Sequence, residues 1–132
     1  MTSAALSGLD LLPTAVVLVD VRLAVRYMNP AAENLFEMSS KNVSGQALDK
    51  LFADIAVLQA AIGYARDNNC SYTEHDLELG ASGRTRLHLS CTVTPVEVPN
   101  GEAHEDGLLL EFRHIEQQLK IAREERMLDQ SQ

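Results

Sequence analysis

The sequence predicts an α+β fold in which an antiparallel sheet carries its helices on one face. Two short apolar runs, at residues 15–19 and 25–28, have the length and composition of strands. A helical apolar period covers residues 54–68, and apolar and polar residues alternate from residue 72 onward. Strands and helices therefore come in blocks, which disfavours a doubly wound parallel sheet and favours five antiparallel strands with grouped helices.

The first two strands are expected to form a hairpin, because only a short turn separates them. The second strand ends at Asn29-Pro30. Asparagine is a preferred helix N-cap, and proline at the first helical position loses no hydrogen bond. A short helix is therefore predicted to begin at Pro30. Two apolar pairs at i,i+4 spacing support it, namely Ala31 with Leu35 and Ala32 with Phe36.

Residues 54–68 form the clearest predicted helix. Asp54 is the expected N-cap, and Asn68 and Asn69 suit the C-terminal end because asparagine tolerates the left-handed conformation. The apolar residues recur at 3-4-3 spacing and share one face. They are Ile55, Leu58, Ile62 and Ala65.

The second half of the chain predicts three more strands and a terminal helix. A turn at residues 80–83 leads into a strand over residues 86–94, and a last strand covers residues 108–112. The polar, acidic residues 95–106 between them are expected to form a loop, and the chain becomes charged and helix-forming from Ile115 onward. The strand before the turn is expected to bury alternate residues, which are Thr73, His75, Leu77 and Leu79.

Composition restricts the function classes. The chain has 132 residues, the size of one domain, and a formal net charge of −8, which disfavours nucleic acid and anionic membrane surfaces as partners. No run approaches the ~20 apolar residues that span a bilayer, and the N-terminus lacks the basic start of a secretory signal. Cys70 and Cys91 form no CxxC pair, and a disulfide between them is disfavoured. We therefore expect a cytoplasmic protein.

No group of residues has the pattern of a catalytic or metal site. His114 lies at a strand end, but neither a directly following acidic residue nor a downstream proline gives it the context of a phosphoacceptor. His104 lies among acidic residues without a second nitrogen or thiolate ligand. Strand alternation separates His88 and Ser90 from Cys91, which leaves no nucleophile with a base beside it. We expect neither a catalytic residue nor a metal.

The order of elements and one stretch of sequence resemble a PAS domain over residues 9–114. The stretch begins at Val19-Asp20, continues through the VRYMNPAAENLF run of residues 25–36, and is followed by Gly45. The closer resemblance is to the N-terminal domain of the nitrogen-regulation sensor histidine kinases of the NtrB or GlnL type. It is carried by the LPTAVVLVD run of residues 12–20 and the YMNPAA run of residues 27–32.

This resemblance implies three segments and a role. Residues 1–8 would be a flexible arm, residues 9–114 the PAS domain, and residues 115–132 the start of a signalling helix. The family's phosphorylated-histidine box, roughly HEIKNPL, and its ATP-binding region do not occur in the sequence. We therefore expect a catalytically silent part of a larger histidine kinase/phosphatase. The family implies a homodimer, a kinase domain, a cognate response regulator and the PII protein as partners, the last two through other domains.

The alternative function is a small-molecule receptor domain of another signalling protein. Haem is disfavoured because the helix at residues 54–68 lacks the histidine that a haem PAS domain carries there. Flavin is disfavoured because no cysteine follows the turn at residues 29–32. Tyr27, His75 and Cys91 are the candidates to line a ligand cavity, and core packing is the competing interpretation of all three.

The C-terminal segment carries a candidate dimer and signal seam. Its members follow a 3-4-3 spacing and are Phe112, Ile115, Leu119 and Ala122. Polar residues occupy the next seam positions, so the seam is short, and a helix of this length needs support from the rest of the domain. We expect the seam to hold a homodimer and to transmit a tilt or rotation to the kinase domain.

Overall fold

The computed structural model describes residues 14–81 and 86–115 of the chain. It contains one antiparallel sheet of six strands in the order β2-β1-β6-β5-β4-β3. The strands are β1 (Ala15–Asp20), β2 (Val25–Met28), β3 (Phe52–Ala53), β4 (Tyr72–Ala81), β5 (Leu87–Asn100) and β6 (Ala103–His114). The helices are α1 (Pro30–Phe36), α2 (Ser40–Val43), α3 (Leu48–Leu51) and α4 (Ala56–Asn68). The α+β class is confirmed, and the strand beyond the expected five is the two-residue β3.

The predicted start of the fold is confirmed. β1 and β2 pair antiparallel, and Asn29 in extended conformation caps α1 through its side chain, with Pro30 at the first helical position. The helix ends at Glu37, which adopts the left-handed conformation with φ of 52°. Local sequence signals therefore determine this region.

The apolar face of α4 is also confirmed, since all four predicted residues are buried. The predicted N-cap is wrong. Asp54 lies before the helix with a φ of 57°, and Ile55 occupies the cap position without a side-chain hydrogen bond. The Asp54 carboxylate instead pairs with the guanidinium of Arg86, next to β5. The C-terminal prediction holds, because Asn69 is left-handed with φ of 48°.

A β-bulge in β4 overturns the predicted alternation of that strand. Glu74 pairs with Cys91 and Leu77 pairs with Leu89, so β4 has one residue more than β5 between these two points. The extra residue exchanges the faces of the strand on the N-terminal side of the bulge. His75, predicted to be inward-facing, is exposed, and Glu74 lies on the inward side opposite Cys91.

The predicted loop at residues 95–106 is wrong, because most of it continues β5 and β6 as a long hairpin. The two strands pair from Leu89 with His114 to Asn100 with Ala103. Gly101, with φ of 66°, opens the two-residue turn, where glycine is favoured. Gly107 allows close packing, since a Cβ there would collide with the Val98 side chain and the Val19 carbonyl oxygen.

The core lies between the helices and the inward face of β1, β4, β5 and β6. Phe36 on α1 is its centre, with edge-on ring contacts to Phe52 at 4.8 Å and to Phe112 at 5.1 Å. Within the described ranges, no helix is both long enough and apolar enough to cross a membrane.

Candidate functional site: the exit junction

The start of β1 and the end of β6 lie side by side in the sheet. The two strands are antiparallel, and Ala15 is paired with Phe112. Thr14, just before β1, and Ile115, just after β6, therefore lie at the same end of these two hydrogen-bonded strands. We call this region, defined by Thr14, Ala15, Asn29, Phe112 and Ile115, the exit junction.

Asn29 ties the exit junction to α1 and is fully buried. Its side-chain Oδ1 accepts hydrogen bonds from the Val16 and Ala32 backbone N–H groups, both at 2.9 Å. Its Nδ2 donates to the Thr14 carbonyl oxygen at 2.9 Å, and its backbone N–H donates to the Val16 carbonyl oxygen at 3.0 Å. One side chain thus fixes the start of β1 and the start of α1 to each other. Sequence reasoning found the cap but not the bonds to β1.

Phe112 connects the core to the C-terminal side of the junction. Its side chain is 2% exposed and packs edge-on against Phe36. It lies within β6, so its assignment to a helical seam needs correction, because strand geometry turns its ring into the core. Ile115 directly follows β6 and is half-buried, whereas the seam candidates Leu119 and Ala122 lie outside the described residues.

The three cavity candidates are not brought together. Cys91 is buried in the core, and burial raises the pKa of its thiol to about 12, with the carboxylates of Glu111 and Glu74 adding to the effect. Tyr27 pairs with Leu18, next to the inward-facing Val17, and therefore lies on the face of the sheet opposite the core. His75 is exposed at the bulge. Only Cys91 of the three faces the core.

The core cluster formed by the described residues contains no charged side chain, and Glu74 lies half-buried at its margin opposite Cys91. The cluster consists of apolar residues and Cys91. Asp20 and Asn29 are the buried polar residues of the described part, and both have hydrogen-bond partners. His104 is exposed on β6, and the described ranges contain no cluster of three metal-binding side chains.

Comparison with known proteins agrees with this architecture. A family model described as PAS fold matches residues 9–120. The chain belongs to the PAS family. Among solved structures, the PAS domain of nitrogen regulation protein NR(II) from Vibrio parahaemolyticus is 33% identical, with a TM-score of 0.68. That match covers 86% of this chain and 99% of the other.

Two curated relatives of this PAS domain are sensory histidine kinase/phosphatases named NtrB. The protein from Vibrio alginolyticus is 34% identical over 111 residues, and the match covers 84% of this chain and 30% of that protein. The protein from Escherichia coli O157:H7 is 26% identical over 117 residues, covering 89% of this chain and 31% of that protein. The chain thus spans about a third of the length of the curated relatives it matches. The predicted resemblance to the NtrB-type PAS domain is confirmed.

Proposed function

We propose that this PAS domain is the sensory and dimerisation module of a nitrogen-regulation sensor histidine kinase, and that it relays conformational change through the exit junction. The observation that carries the proposal is the contact of Phe112 with Phe36, because it joins the core to the strand that leads directly to Ile115. The similarity to NtrB-type kinases along most of the chain supports the biological setting.

The relay follows from the rigidity of the junction. A shift of α1 moves Phe36, and close packing transmits the shift to Phe112 because a filled core cannot absorb it. The same shift pulls on β1 through Asn29. β1 and β6 are paired along their whole common length, so both chain exits respond together. If a helix packed against the exit junction has two alternative packing arrangements, this small shift would favour one arrangement over the other.

We further propose a homodimer held by the terminal segment, with Ile115, Leu119 and Ala122 as its seam. The spacing of these residues gives one apolar face, and their number is too small for a stable seam in isolation. The outward face of the sheet near the exit junction is apolar, since the buried Leu18 is flanked there by the half-buried Tyr27 and Leu109. A second copy packed at this end would bring the two sets of exits together.

Sedimentation equilibrium tests the dimer. We expect the intact chain to be dimeric at tens of micromolar, and Ile115→Asp and Leu119→Asp each to shift it toward monomer because a charge would enter the seam. Val57→Asp is the matched control, since Val57 is exposed on α4 and the substitution adds the same charge away from the junction. An intact chain that sediments as a monomer, or equal association of all four proteins, contradicts the dimer.

We infer that the kinase activity, the response regulator contact and the PII contact belong to other domains of the parent protein, and that this domain acts without haem or flavin. Incubation with labelled ATP and magnesium is expected to leave His114 unlabelled. The visible absorption spectrum of the purified domain is expected to show no haem or flavin band. Label on His114, or such a band, would remove this part of the proposal.

A further inference from the structure

A groove on the surface beside the β1–β2 turn collects basic side chains in an acidic protein. The chain has 11 lysine and arginine residues against 19 acidic ones. Three of the basic residues, Arg22, Arg26 and Lys50, line one groove of about 540 Å³, and Asp20 is the one acidic residue among the described residues that line it. The groove therefore has the opposite charge to the protein as a whole.

The carboxylate of Asp20 lines the groove and is engaged by other groups of the protein. Its side chain is 5% exposed, and its Oδ1 accepts hydrogen bonds from the Arg22 N–H at 2.9 Å and the Ala24 N–H at 3.0 Å. These bonds are the hydrogen bonds of the tight turn. Its Oδ2 lies 3.5 Å from an Arg26 nitrogen. Asp20 thus stabilises the turn and orients Arg26. Asp20 is buried, whereas the basic residues Arg22, Arg26 and Lys50 are exposed.

The charges of Arg22 and Lys50 are available to a ligand. Both residues are exposed, and neither side chain forms an ion pair or hydrogen bond within the described ranges. Arg26 differs, because its guanidinium also lies 3.5 Å from Glu105 on β6. Arg26 therefore links the groove to the strand that leads to the exit junction.

The backbone beside these cations is open and fixed in place. Gly45 has φ of 82°, and no atom lies within 4 Å of the position that a Cβ would occupy. Its N–H donates to the Val25 carbonyl oxygen at 2.7 Å, and the Val25 N–H donates to the Gln46 carbonyl oxygen at 2.9 Å. These bonds hold the segment before α3 against β2. The backbone positions of Lys50 and Arg22 are therefore fixed beside the groove.

We propose that this groove binds a small ligand through a carboxylate or phosphate group. A guanidinium presents a fork of N–H donors that matches either oxyanion, and a nearby ammonium adds a second positive charge. The groove is open to water, which weakens such contacts, so we expect dissociation constants on the order of 1 mM at low salt. The binding claim does not depend on the proposed signalling role.

The test is a titration of the ¹⁵N-labelled intact chain, followed by amide chemical shifts at low ionic strength. Citrate is the carboxylate probe and pyrophosphate the phosphate probe, in separate titrations. We expect saturable shifts at Arg22, Gly45 and Gln46 with at least one probe. The double variant Arg22→Gln, Lys50→Gln is expected to bind about 10-fold more weakly, and each single variant about 3-fold, as loss of charge-assisted bonds requires.

Lys41→Gln is the matched control for the single variants, because Lys41 is exposed on α2, does not line the groove, and its replacement changes the net charge as much as each single groove substitution. It should leave the affinity within about 2-fold of the unmodified chain. Spectra of the free variants report their folding, since amides far from the groove should not move. Shifts that do not saturate with either probe, or equal losses in Lys41→Gln and in the groove variants, overturn the proposal.

Discussion

Two regions of the sheet are built differently, one between the inner strands β1 and β6 and one at β4, near an edge. At the exit junction, apolar side chains and one buried asparagine connect β1, β6 and α1. At β4, the strand carries a bulge, and its Glu78 side chain forms an exposed ion pair with Arg86 and an exposed hydrogen bond with His88. Displacing a buried side chain moves its neighbours, whereas exposed charges exchange their partners for water at little cost. A signal should therefore travel through the exit junction rather than through the β4 edge.

The largest difference is expected between two aromatic truncations. Phe112→Ala should lower the free energy of unfolding by ~3–5 kcal/mol, because it leaves a cavity beside Phe36 in a close-packed core. Tyr72→Ala, at the β4 edge, should cost clearly less, because Tyr72 is only half-buried and packs on the exposed Tyr64. Urea denaturation measures both losses of unfolding free energy. Equal losses would contradict the distinction between the exit junction and the β4 edge.

Asn29→Ala should be the next largest effect. Loss of the helix cap costs ~1 kcal/mol, and the buried Val16 N–H loses its acceptor at a further ~1–3 kcal/mol. Asn68→Ala is the matched control, since the Asn68 side chain makes one exposed hydrogen bond, to the Tyr64 carbonyl oxygen. Denaturation midpoints should separate the two variants widely. Similar midpoints would show that Asn29 is only a local cap.

The two thiols should differ in reactivity with a thiolate-specific reagent. Cys70 is exposed, whereas Cys91 is buried with its pKa raised from 9.0 to about 12. The raised pKa alone lowers the thiolate fraction of Cys91 by about 1,000-fold at neutral pH, and burial blocks access as well. One thiol per chain should react in the folded protein and two in urea. Rapid reaction of both in the folded protein would indicate an open core.

The smallest effect is expected for Glu78→Gln at the β4 edge. The hydrogen bond from His88 lowers the pKa of Glu78 from 4.5, so its contribution to stability is present above that pH and is lost as the pH falls through the lower folded pKa. Because Glu78 is exposed to solvent, the urea midpoints of wild type and variant should coincide within error at pH 7 and also at pH 3. A clear gap at pH 7 would assign the edge a structural role that its exposure does not suggest.

Local signals made much of the first half predictable. The Asn29-Pro30 pair specified the start of α1, and the apolar period specified the buried face of α4. The two side-chain hydrogen bonds of Asn29 at the start of β1 join residues 13 and 15 positions apart, and no local sequence pattern indicates contacts at that separation. β3 has two residues, too few to produce an alternation.

The errors in the second half have physical causes. The prediction for β4 assumed that side chains alternate between the two faces without interruption. The extra residue near His75 breaks this alternation and therefore reversed the predicted faces of that part of β4. The hairpin at residues 95–106 was obscured by acidic residues and prolines, but the Asn100-Gly101 pair is a turn signal that could have revealed it. Beyond Thr94, β5 extends past the start of β4 and pairs with β6 alone among the described strands. Prolines are tolerated there because one side of the strand forms no ladder hydrogen bonds with β4.

The most direct test of the relay is an interprotomer distance measurement by electron spin resonance. A spin label on Lys120→Cys, which lies beside the seam residue Leu119 and is not part of the seam, in a Cys70→Ser background, would report the separation of the two terminal segments. The account predicts that Phe112→Leu, which changes the shape of the core side chain and keeps it apolar, shifts or broadens the distance distribution. Val57→Ala, an exposed change on α4, should leave it unchanged. The same distribution for all three proteins would contradict a relay through the exit junction.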